Sequence, residues 1–589
     1  MVENQLDSIR HSAAHMLAAA IQELYPGTKL GIGPVVENGF YYDFQFAEGV
    51  GISEEDLPKI QETMIKIIKG NHDFVGLEVS RDEALKREKN QPFKTELIEE
   101  FAQEGKKLTI YSSGPFQDLC RGGHVQNTSQ IPTDGLKLER VAGAYWKGDE
   151  KNPMLTRIYG LLFSTKEELE NHLNKLEEAK KRDHKKLGPE LDLFTFSPLV
   201  GTGLPLWTPK GTLLRNTLDE FVWSLRKKRG YVKVEIPHIT KKDLYETSGH
   251  WEKYKDDLFK IITREGHEFA LKPMNCPHHT QIYNRKAWSY RELPQRYANT
   301  TACYRDEQTG ELAGLSRVRG FSQDDAHVFC RMDQVKREFL NIWEIIYEFY
   351  SAFGFDLKVR LSLHDPAHPA KYLGEKDQWQ MAETMLQEIV SEKKVASFEG
   401  IGEAAFYGPK LDFMASDSIG REWQVATIQL DMVQPERFDL TCTNEKGEKE
   451  RIVMIHAAIM GSIERFLSIV IEHFAGSFPT WLSPVQVQLV LVSQKFSEGG
   501  KQILSELENQ NLRVEIDESD ETVGNKVRRA AAQKIPYIVV VGEKELSGGE
   551  WMIRVRGKEE QLRMTKENFI DKILQEIKQK NLQLMSSND

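Results

Sequence analysis

Residues 301–330 read TACYRDEQTGELAGLSRVRGFSQDDAHVFC, and this stretch decides the fold around it. Two strand-like segments, TACY and VRGFSQ, flank a turn-rich segment with glycine, which predicts an antiparallel hairpin. Alternation along a strand would present Arg305 and Glu307 on one face. Arginine grips a carboxylate or phosphate with two donors and stays charged at neutral pH. The pattern therefore predicts a cradle for an anion, with a solvated, salt-bridged hairpin as the alternative.

The composition is that of an ordinary globular protein. The 589 residues exceed what one hydrophobic core can organise, and this length predicts about four domains. Hydrophobic residues make up 40% and charged residues 28%, which gives no sign of disorder. The net charge of -11 provides no global positive field, so a protein that coats nucleic acid indiscriminately is excluded.

The cysteines and the first residues bear on location. The five cysteines are scattered and lack disulfide-scaffold spacing, which predicts a reducing compartment. The charged N-terminus is unlike a signal peptide, and no apolar run is long enough for a membrane-spanning helix. We therefore expect a cytoplasmic protein that does not span a membrane.

Histidines and a cysteine collect near the N-terminus. Helical spacing over residues 5–25 puts His11 and His15 on one face. Residues 111–124 look like a loop that brings three more polar side chains together, namely Asp118, Cys120 and His124. Such a set could bind zinc, or it could position and activate a water for hydrolysis. A third interpretation is a group of unrelated polar residues on a helix and a loop.

Two further patterns divide the chain. A capping-box sequence at residues 164–167 begins a helix that ends in a basic run before Gly188-Pro189, which predicts a helical linker. Its basic end could contact RNA or be a solvated face. From residue 484 onward, short apolar strands alternate with helices, which predicts a parallel sheet covered on both faces. No P-loop and no dinucleotide-binding glycine motif occurs.

Three segments carry a family resemblance. Tyr304-Arg305-Asp306-Glu307 and the run 317–327 closely resemble the second signature motif of class II aminoacyl-tRNA synthetases, in the form that threonyl-tRNA synthetases carry. Residues 454–465 resemble the third motif. Residues 211–237 predict a long helix followed by a strand over 230–237 that ends in proline, and they resemble the first motif, which builds the dimer interface in the family.

The resemblance covers essentially the whole chain and implies a multidomain protein of α+β and α/β class. Residues 1–163 would form an α+β editing domain, 164–188 a helical linker, 189–482 a catalytic domain on an antiparallel sheet, and 483–589 an α/β anticodon-binding domain. The family usually begins with a small ubiquitin-like module, which we expect this chain to lack.

The resemblance also implies the reaction. It is the ATP-dependent ligation of threonine to its tRNA through a threonyl-adenylate, by a homodimer that uses Mg²⁺ with ATP and one Zn²⁺ per subunit. Arg305 would hold the α-phosphate and the amino acid carboxylate, and Arg465 the γ-phosphate. Phe321 would stack on adenine, Glu307 would accept from its amino group, and Arg317 would also contact ATP.

The implied threonine pocket contains a zinc ion, whose ligands match Cys276, His327 and His456. Their spacing fits no local zinc motif, so sequence spacing alone does not nominate them. Further substrate contacts match Met274, Gln323, Asp325 and Tyr407. A zinc ion with an open position could take the amino group and hydroxyl of threonine, and valine has no hydroxyl. His278 stands where the family usually has glycine.

Serine satisfies the same zinc because it is threonine without a methyl group, so a second, hydrolytic site is needed. By resemblance that site hydrolyses mischarged seryl-tRNA and is lined by His11, His15, Asp118, Cys120 and His124. In the C-terminal domain, the positions that read anticodon bases match Arg528, Glu545 and Arg554.

Overall fold

A computed structural model describes residues 2–586, with side chains from Gln5 onward. The chain divides after Glu177 into two compact units, named here the N-terminal unit and the C-terminal unit. Across the described residues, no helix combines the length and apolar character that crossing a membrane requires.

The N-terminal unit packs helices on two antiparallel sheets. Its helices are α1 (Val2–Leu24), α2 (Leu57–Ile68), α3 (Arg81–Arg87), α4 (Pro92–Gln103) and the start of α5 (Lys166–Arg182). Its strands are β1 (Lys29–Leu30), β2 (Val35–Val36), β3 (Gly39–Gln45), β4 (Phe74–Val79), β5 (Leu108–Ser113), β6 (Phe116–Leu119), β7 (Leu136–Tyr145) and β8 (Met154–Leu162). The larger sheet has the order β1-β3-β8-β7 with β2 beside β3, and the smaller has the order β4-β5-β6.

The core of this unit follows from sequence periodicity. Helix α1 buries a face of small and aliphatic side chains that includes Leu17 and Ile21. Strand β3 alternates, so that Phe40, Tyr42 and Phe44 point into the same core. The helix predicted over residues 5–25 is therefore present and carries the two histidines.

The segment 111–124 differs from the predicted loop. Its first part completes β5, turns at Gly114 with a φ of 58° and returns as β6, so Asp118 lies on a strand. Only the part from Cys120 to His124 is irregular. Leu108 and Ile110 at alternate positions of β5, together with Leu119 of β6, contribute to a small core that a loop would lack.

The linker also differs from the prediction. Helix α5 ends at Arg182, and a second helix, α6 (His184–Glu190), includes the Gly188-Pro189 pair that we expected to end the helix. The break falls at Asp183, whose side chain accepts a hydrogen bond from the Lys185 N–H and caps α6. The cap therefore decides where the helix restarts, and the proline is accommodated near its end.

The larger part of the C-terminal unit is built on an eight-stranded sheet. The helices that follow α6 are α7 (Pro209–Lys228), α8 (Lys242–Ser248), α9 (His250–Lys253), α10 (Cys276–Tyr283), α11 (Val335–Ser351), α12 (Lys376–Lys393), α13 (Val433–Arg437) and α14 (Ile463–His473). The strands are β9 (Phe194–Thr195), β10 (Leu206–Trp207), β11 (Val232–Lys233), β12 (Ile239–Lys241), β13 (Lys260–Ile262), β14 (Glu268–Leu271), β15 (Gln295–Tyr304), β16 (Gly320–Cys330), β17 (Asp356–Leu363), β18 (Ser397–Ile401), β19 (Lys410–Ser416), β20 (Glu422–Asp431), β21 (Thr441–Thr443), β22 (Lys449–Arg451) and β23 (Val453–Ser462).

The large sheet has the order β11-β15-β16-β23-β20-β19-β17-β18 and is antiparallel except at its two edges. The predicted hairpin is β15 with β16, in which Thr301 pairs with Gln323. Arg305 and Glu307 lie just past the end of β15 and not on it, because the turn-rich segment begins there. The strand predicted over 230–237 shrinks to the two residues of β11, which pair only with the edge of β15.

The C-terminal portion is a smaller α/β layer. Its helices are α15 (Ser497–Glu508), α16 (Val523–Ala532), α17 (Glu543–Leu546) and α18 (Lys566–Gln579), and its strands are β24 (Val487–Leu491), β25 (Val514–Asp517), β26 (Tyr537–Val541), β27 (Trp551–Val555) and β28 (Gln561–Met564). The order is β25-β24-β26-β27-β28, with three parallel strands followed by an antiparallel hairpin. The predicted α+β and α/β class is thereby confirmed.

Candidate functional site

A cavity of about 560 Å³ opens on the large sheet. Strands β16, β20 and β23, the segment between β15 and β16, and the start of α14 supply its walls. Among its lining residues are five of those predicted from sequence to contact ATP, namely Arg305, Glu307, Arg317, Phe321 and Arg465.

Two arginines give this cavity its charge. The Arg305 guanidinium lies 5.5 Å from the Tyr254 ring and 5.3 Å from the Phe321 ring, and its Nε is buried without a hydrogen-bond partner. Arg465 follows the Ser462 cap at the start of α14, and no described carboxylate forms an ion pair with its guanidinium. A guanidinium without a carboxylate partner keeps its donors available, so both groups are suited to an anionic ligand.

The segment between β15 and β16 also carries an arginine that, unlike Arg305, has an acidic partner. Glu307 accepts hydrogen bonds from Arg317, with the carboxylate 2.7 Å from Arg317 Nη2. Arg319 donates to the Glu307 carbonyl at 2.9 Å and fixes the start of the same segment. Glu307 is therefore held at the cavity wall as an acceptor, in the same cavity as Arg305 and Arg465, which have no carboxylate partner in the described residues.

Cys276, His327 and His456 form a buried cluster in the same unit. Their ligand atoms all lie within 4.8 Å of one another. His327 on β16 is directly opposite His456 on β23, with Nε2 and Nδ1 3.1 Å apart, and Cys276 begins α10. Three elements that are distant in sequence therefore bring one sulfur atom and two nitrogen atoms close enough together to bind one metal ion.

A second layer of side chains orients both histidines. His279 Nδ1 lies 2.7 Å from Nδ1 of His327, and the Asp431 carboxylate lies 2.8 Å from Nε2 of His456. The other ring nitrogens, Nε2 of His327 and Nδ1 of His456, face each other within the cluster. Outer partners of this kind are typical of histidines that bind metal. Burial raises the pKa of the Cys276 thiol, so a nearby cation would be needed to stabilise its thiolate.

One face of the sheet carries both features. Phe321 and Gln323 line the cavity, and the alternating positions that follow on β16 are Asp325 and His327. On β23, Ala458 lines the cavity and His456 is two residues before it. The Cys/His cluster therefore lies farther along the strands that form the cavity wall.

The other predicted substrate residues surround the cluster. Asp325 accepts a hydrogen bond from Asn275 at 3.1 Å, and its burial raises its pKa to about 6. The Tyr407 ring is 5.0 Å from the His456 ring, and Met274 packs on the apolar cluster that contains Cys276. His278 contacts Thr240 at 2.5 Å, between Nε2 and Oγ1, and lies on α10.

The N-terminal unit holds a second polar site. Cys120 Sγ is 3.3 Å from Nε2 of His11 and 3.3 Å from Nε2 of His124. The ligand atoms of these three residues and His15 lie within 4.8 Å of one another, so they could hold a metal ion as well as position a water. Burial lowers the pKa of His124 to about 2, so its ring is neutral at pH 7.

Asp118 links this site to residues that the sequence analysis missed. Its Oδ2 accepts from the Tyr42 hydroxyl at 2.5 Å, and its Oδ1 lies 2.6 Å from the Lys94 ammonium. His15 Nε2 is 3.9 Å from the same carboxylate. All four side chains are buried, so an ion pair lies beneath the histidines.

Glu88, which is also buried, gives the N-terminal unit a predictable pH dependence. Burial and the charge of Asp118 raise its pKa from 4.5 to about 7. The folded state therefore binds more protons than the unfolded state between these values, and stability falls as pH rises through them. The loss should be at most about 3 kcal/mol. We expect Glu88→Gln to flatten this slope when hydrogen exchange of α3 amides is measured from pH 4 to pH 8.

Glu83→Gln is the matched control for that experiment, because Glu83 is exposed on the same helix. It should retain the slope of the unsubstituted protein. An unchanged slope in Glu88→Gln would contradict the assignment.

Comparison with known proteins gives three family matches. Residues 108–159 match the threonyl and alanyl tRNA synthetase second additional domain, residues 259–474 the tRNA synthetase class II core domain (G, H, P, S and T), and residues 486–576 an anticodon binding domain. The chain is 47% identical over 572 residues to the threonine–tRNA ligase of Cytophaga hutchinsonii. This alignment covers 96% of this chain and 88% of that protein.

The chain belongs to the threonine–tRNA ligase family. The ligase of Thermotoga neapolitana is 46% identical over 98% of this chain and 89% of its own. The structure titled as the RNA binding domain of threonyl-tRNA synthetase from Cryptosporidium parvum has a TM-score of 0.64 and 35% identity, covering 69% of this chain and 100% of that one. Prolyl-tRNA synthetase from Giardia lamblia, at 16% identity and a TM-score of 0.53, shares the fold.

Membership in the threonine–tRNA ligase family confirms the resemblance drawn from the motifs, together with the class II core and the editing and anticodon-binding domains. The three residues predicted to read anticodon bases lie on three different elements and do not contact one another through polar groups in the described residues. Arg528 lies on α16, Glu545 on α17 and Arg554 on β27. Glu545 accepts from the Gly542 N–H at 3.0 Å, and in the described residues no hydrogen bond or ion pair joins the three.

Several residues beside the Cys/His₂ cluster and beside Asp118 were missed by the sequence analysis. His250 has its Nε2 3.6 Å from Cys276 Sγ, and His279 and Asp431 orient the cluster. Lys94 lies on α4 and meets Asp118 only through the fold, so no local pattern could reveal it. Tyr42 did carry a signal, since its inward position on β3 required a partner for its hydroxyl.

Proposed function

We propose that the cavity on the large sheet is where threonine is activated with ATP, and that the N-terminal site hydrolyses seryl-tRNA. One zinc ion would be held by Cys276, His327 and His456. The overall reaction is that of the family: the chain is a ligase that joins L-threonine to tRNA and edits the product. The assignment of this reaction to individual residues is the proposal.

One observation supports it above the others. Two arginines without acidic partners among the described residues, one from the segment after β15 and one from α14, line the cavity, and a buried Cys/His₂ cluster lies farther along the strands of its wall. This arrangement suits ATP and threonine, since the triphosphate needs cations and the side chain needs a site that can test for a hydroxyl.

Activation requires positioning and charge stabilisation more than covalent help. Arg305 would bind the α-phosphate and the threonine carboxylate, so that the carboxylate oxygen attacks in line. Arg465 would bind the γ-phosphate, and magnesium would arrive with ATP as part of the substrate. Phe321 would stack on adenine, whose amino group would donate to Glu307, and Arg317 would fix that acceptor.

The donor set of the cluster fits zinc. One sulfur and two imidazole nitrogens are a common zinc set, three protein ligands leave a position open, and both rings already have outer partners. Zinc held by Cys276, His327 and His456 would supply a Lewis acid for the amino group and the hydroxyl of threonine. Asp325 would accept from the hydroxyl, and Gln323 and Tyr407 would contact the amino group, with Met274 beside them.

The N-terminal site would remove serine. His11, His15, Cys120 and His124 would position a water at the ester of seryl-tRNA, with neutral imidazole nitrogens accepting hydrogen bonds from it. Asp118 would be held in place by Lys94 and Tyr42. Catalysis by water and side chains needs no metal in this scheme.

The domain boundaries, the assembly and the location are part of the same proposal. The boundaries are 1–163, 164–188, 189–482 and 483–589, and the family matches at 108–159, 259–474 and 486–576 support them. Arg528, Glu545 and Arg554 would read anticodon bases. A homodimer is supported by exposed apolar side chains at Val232 and Ile239 in and after the first motif. Free cysteines support a cytoplasmic location.

The test is ATP–pyrophosphate exchange with threonine, serine and valine, before and after zinc chelation, followed by charging of threonine tRNA. We expect exchange with threonine, less with serine and almost none with valine. Chelation should abolish the exchange. Exchange with none of the three, from folded and zinc-loaded protein, would reject the proposal.

Lys94→Met should lower hydrolysis of seryl-tRNA by about 100-fold, because Asp118 loses its counter-ion and the histidines lose their support. Threonine-dependent exchange should not change. Lys107→Met is the matched control, since Lys107 is exposed and pairs with Glu78 on the surface of the same unit. Equal hydrolysis by both variants would show that Lys94 does not support the site.

A further inference from the structure

His184 lies at the start of α6 and contacts two elements that carry predicted ATP residues. It is 4% exposed. Its Nδ1 is 2.6 Å from Glu472 Oε1, and its Nε2 accepts a hydrogen bond from the Leu315 N–H at 3.0 Å. Since Nε2 accepts, Nδ1 carries the proton and donates to the carboxylate. One neutral imidazole thus joins the linker to two other segments.

Both partners lead into the cavity. Leu315 is fully buried and directly precedes Ser316, Arg317 and Val318, which line the cavity. Glu472 is near the end of α14, the helix whose first turn carries Arg465. Glu472 also lies 2.6 Å from Arg421, so its carboxylate is anchored from a second side.

The approach of the loop to His184 depends on a glycine. Gly314 has a φ of 56°, and a Cβ at this position would be 2.3 Å from His184 Nε2 and 2.7 Å from Lys185 Cγ. A side chain here would push the loop away from the imidazole. The positive φ and the close approach to His184 are two reasons why this position of the loop needs glycine.

Asp183, His184 and Glu472 are close enough together to suggest a metal site. The hydrogen bonds argue against this, because Nδ1 donates to Glu472 and Nε2 receives the Leu315 N–H, which leaves no ring lone pair for a cation. The cluster is better explained as a structural connection.

We propose that His184 is a positioning residue for ATP: it holds the Leu315 segment against α14, and thereby sets the distance between the adenine side of the cavity and Arg465. The inference rests on the proposed function, in that it takes the cavity to be the ATP site. His184 itself contacts neither ATP nor the reacting atoms. It acts through Leu315 and Glu472, and it is the first residue after the break that ends the linker helix α5.

The test compares His184→Ala with His473→Ala in the full chain. His473 is the next residue after Glu472, and its Nδ1 accepts from the Ser418 N–H, away from the loop. We expect His184→Ala to raise the KM for ATP in pyrophosphate exchange about tenfold, the effect of one lost buried hydrogen bond, with the KM for threonine changed less than twofold. Hydrogen exchange in the peptide 309–319 should accelerate without ligand. His473→Ala should do neither.

Gly314→Ala provides a second variant that leaves the buried histidine in place. It should raise the KM for ATP in the same way, and it should add less in the His184→Ala background, where the ring it strikes is gone. An unchanged KM for ATP and unchanged exchange at 309–319 in both variants would overturn this inference alone, provided that Arg465→Ala still abolishes activation. Activation that survives Arg465→Ala would instead reject the proposed function.

Discussion

Arg465→Ala should reduce threonine-dependent ATP–pyrophosphate exchange by about 10³-fold. The guanidinium lines the cavity at the start of α14, and no described carboxylate neutralises it. Its charge is therefore available to the triphosphate in the transition state. Alanine removes that charge without opening a buried ion pair, so the fold should persist, and steady-state exchange at saturating threonine measures the loss directly.

Arg563→Ala serves as the control, because Arg563 is exposed on β28 in the C-terminal layer. It should exchange pyrophosphate at the unsubstituted rate. Binding of threonine tRNA, measured by filter retention, should be the same in both variants, because we expect Arg465→Ala to impair only the activation of threonine. Activity within tenfold of normal in Arg465→Ala would contradict the role assigned to this residue.

Cys276→Ser should lose zinc and should lower threonine activation by at least about 100-fold. Serine is a poor zinc ligand, and the two remaining imidazoles cannot close the site. Any residual activity should discriminate poorly between threonine and valine, because a pocket that lacks a group for the hydroxyl separates such isosteres by only about 10²-fold. Zinc content by mass spectrometry and exchange rates with both amino acids provide the measurement.

Cys442→Ser is the matched control, since Cys442 is buried in the same apolar cluster but takes no part in the Cys/His₂ group. It should retain zinc and activity. Should Cys276→Ser keep its zinc, or should both variants lose it equally, the assignment of Cys276 as a ligand would be wrong.

The hairpin of β15 and β16 could be predicted from the sequence because its signals are local. Alternating strands and a turn-rich connection lie within 40 residues, and the arginines at its end indicate an anion site. The resemblance extended this prediction to the residues that line the cavity on the large sheet. The strand ends at Tyr304, where the TACY segment ends, so the alternation expected to include Arg305 and Glu307 stops before them and both are in the connecting segment.

The Cys/His₂ cluster and the contact of Lys94 with Asp118 could not be predicted from local pattern. Cys276, His327 and His456 come together only because β16 pairs with β23 and α10 packs nearby, and this register is a property of the folded sheet. Lys94 reaches Asp118 in the same way. The break at Asp183 was missed for a different reason, since a cap with buried contacts outweighed the Gly-Pro signal.

The pairing of His327 with His456 across two central strands has a consequence for stability. An ion bound there, with Cys276 as the third ligand, would tie together chain segments from three distant parts of the sequence and would bind only the folded form. Such binding adds RT ln(1 + [L]/Kd) to the free energy of unfolding. The melting temperature of this ligase should therefore depend on the chelator in its buffer, and a preparation that has been stripped of metal would behave as a less stable protein with the same sequence.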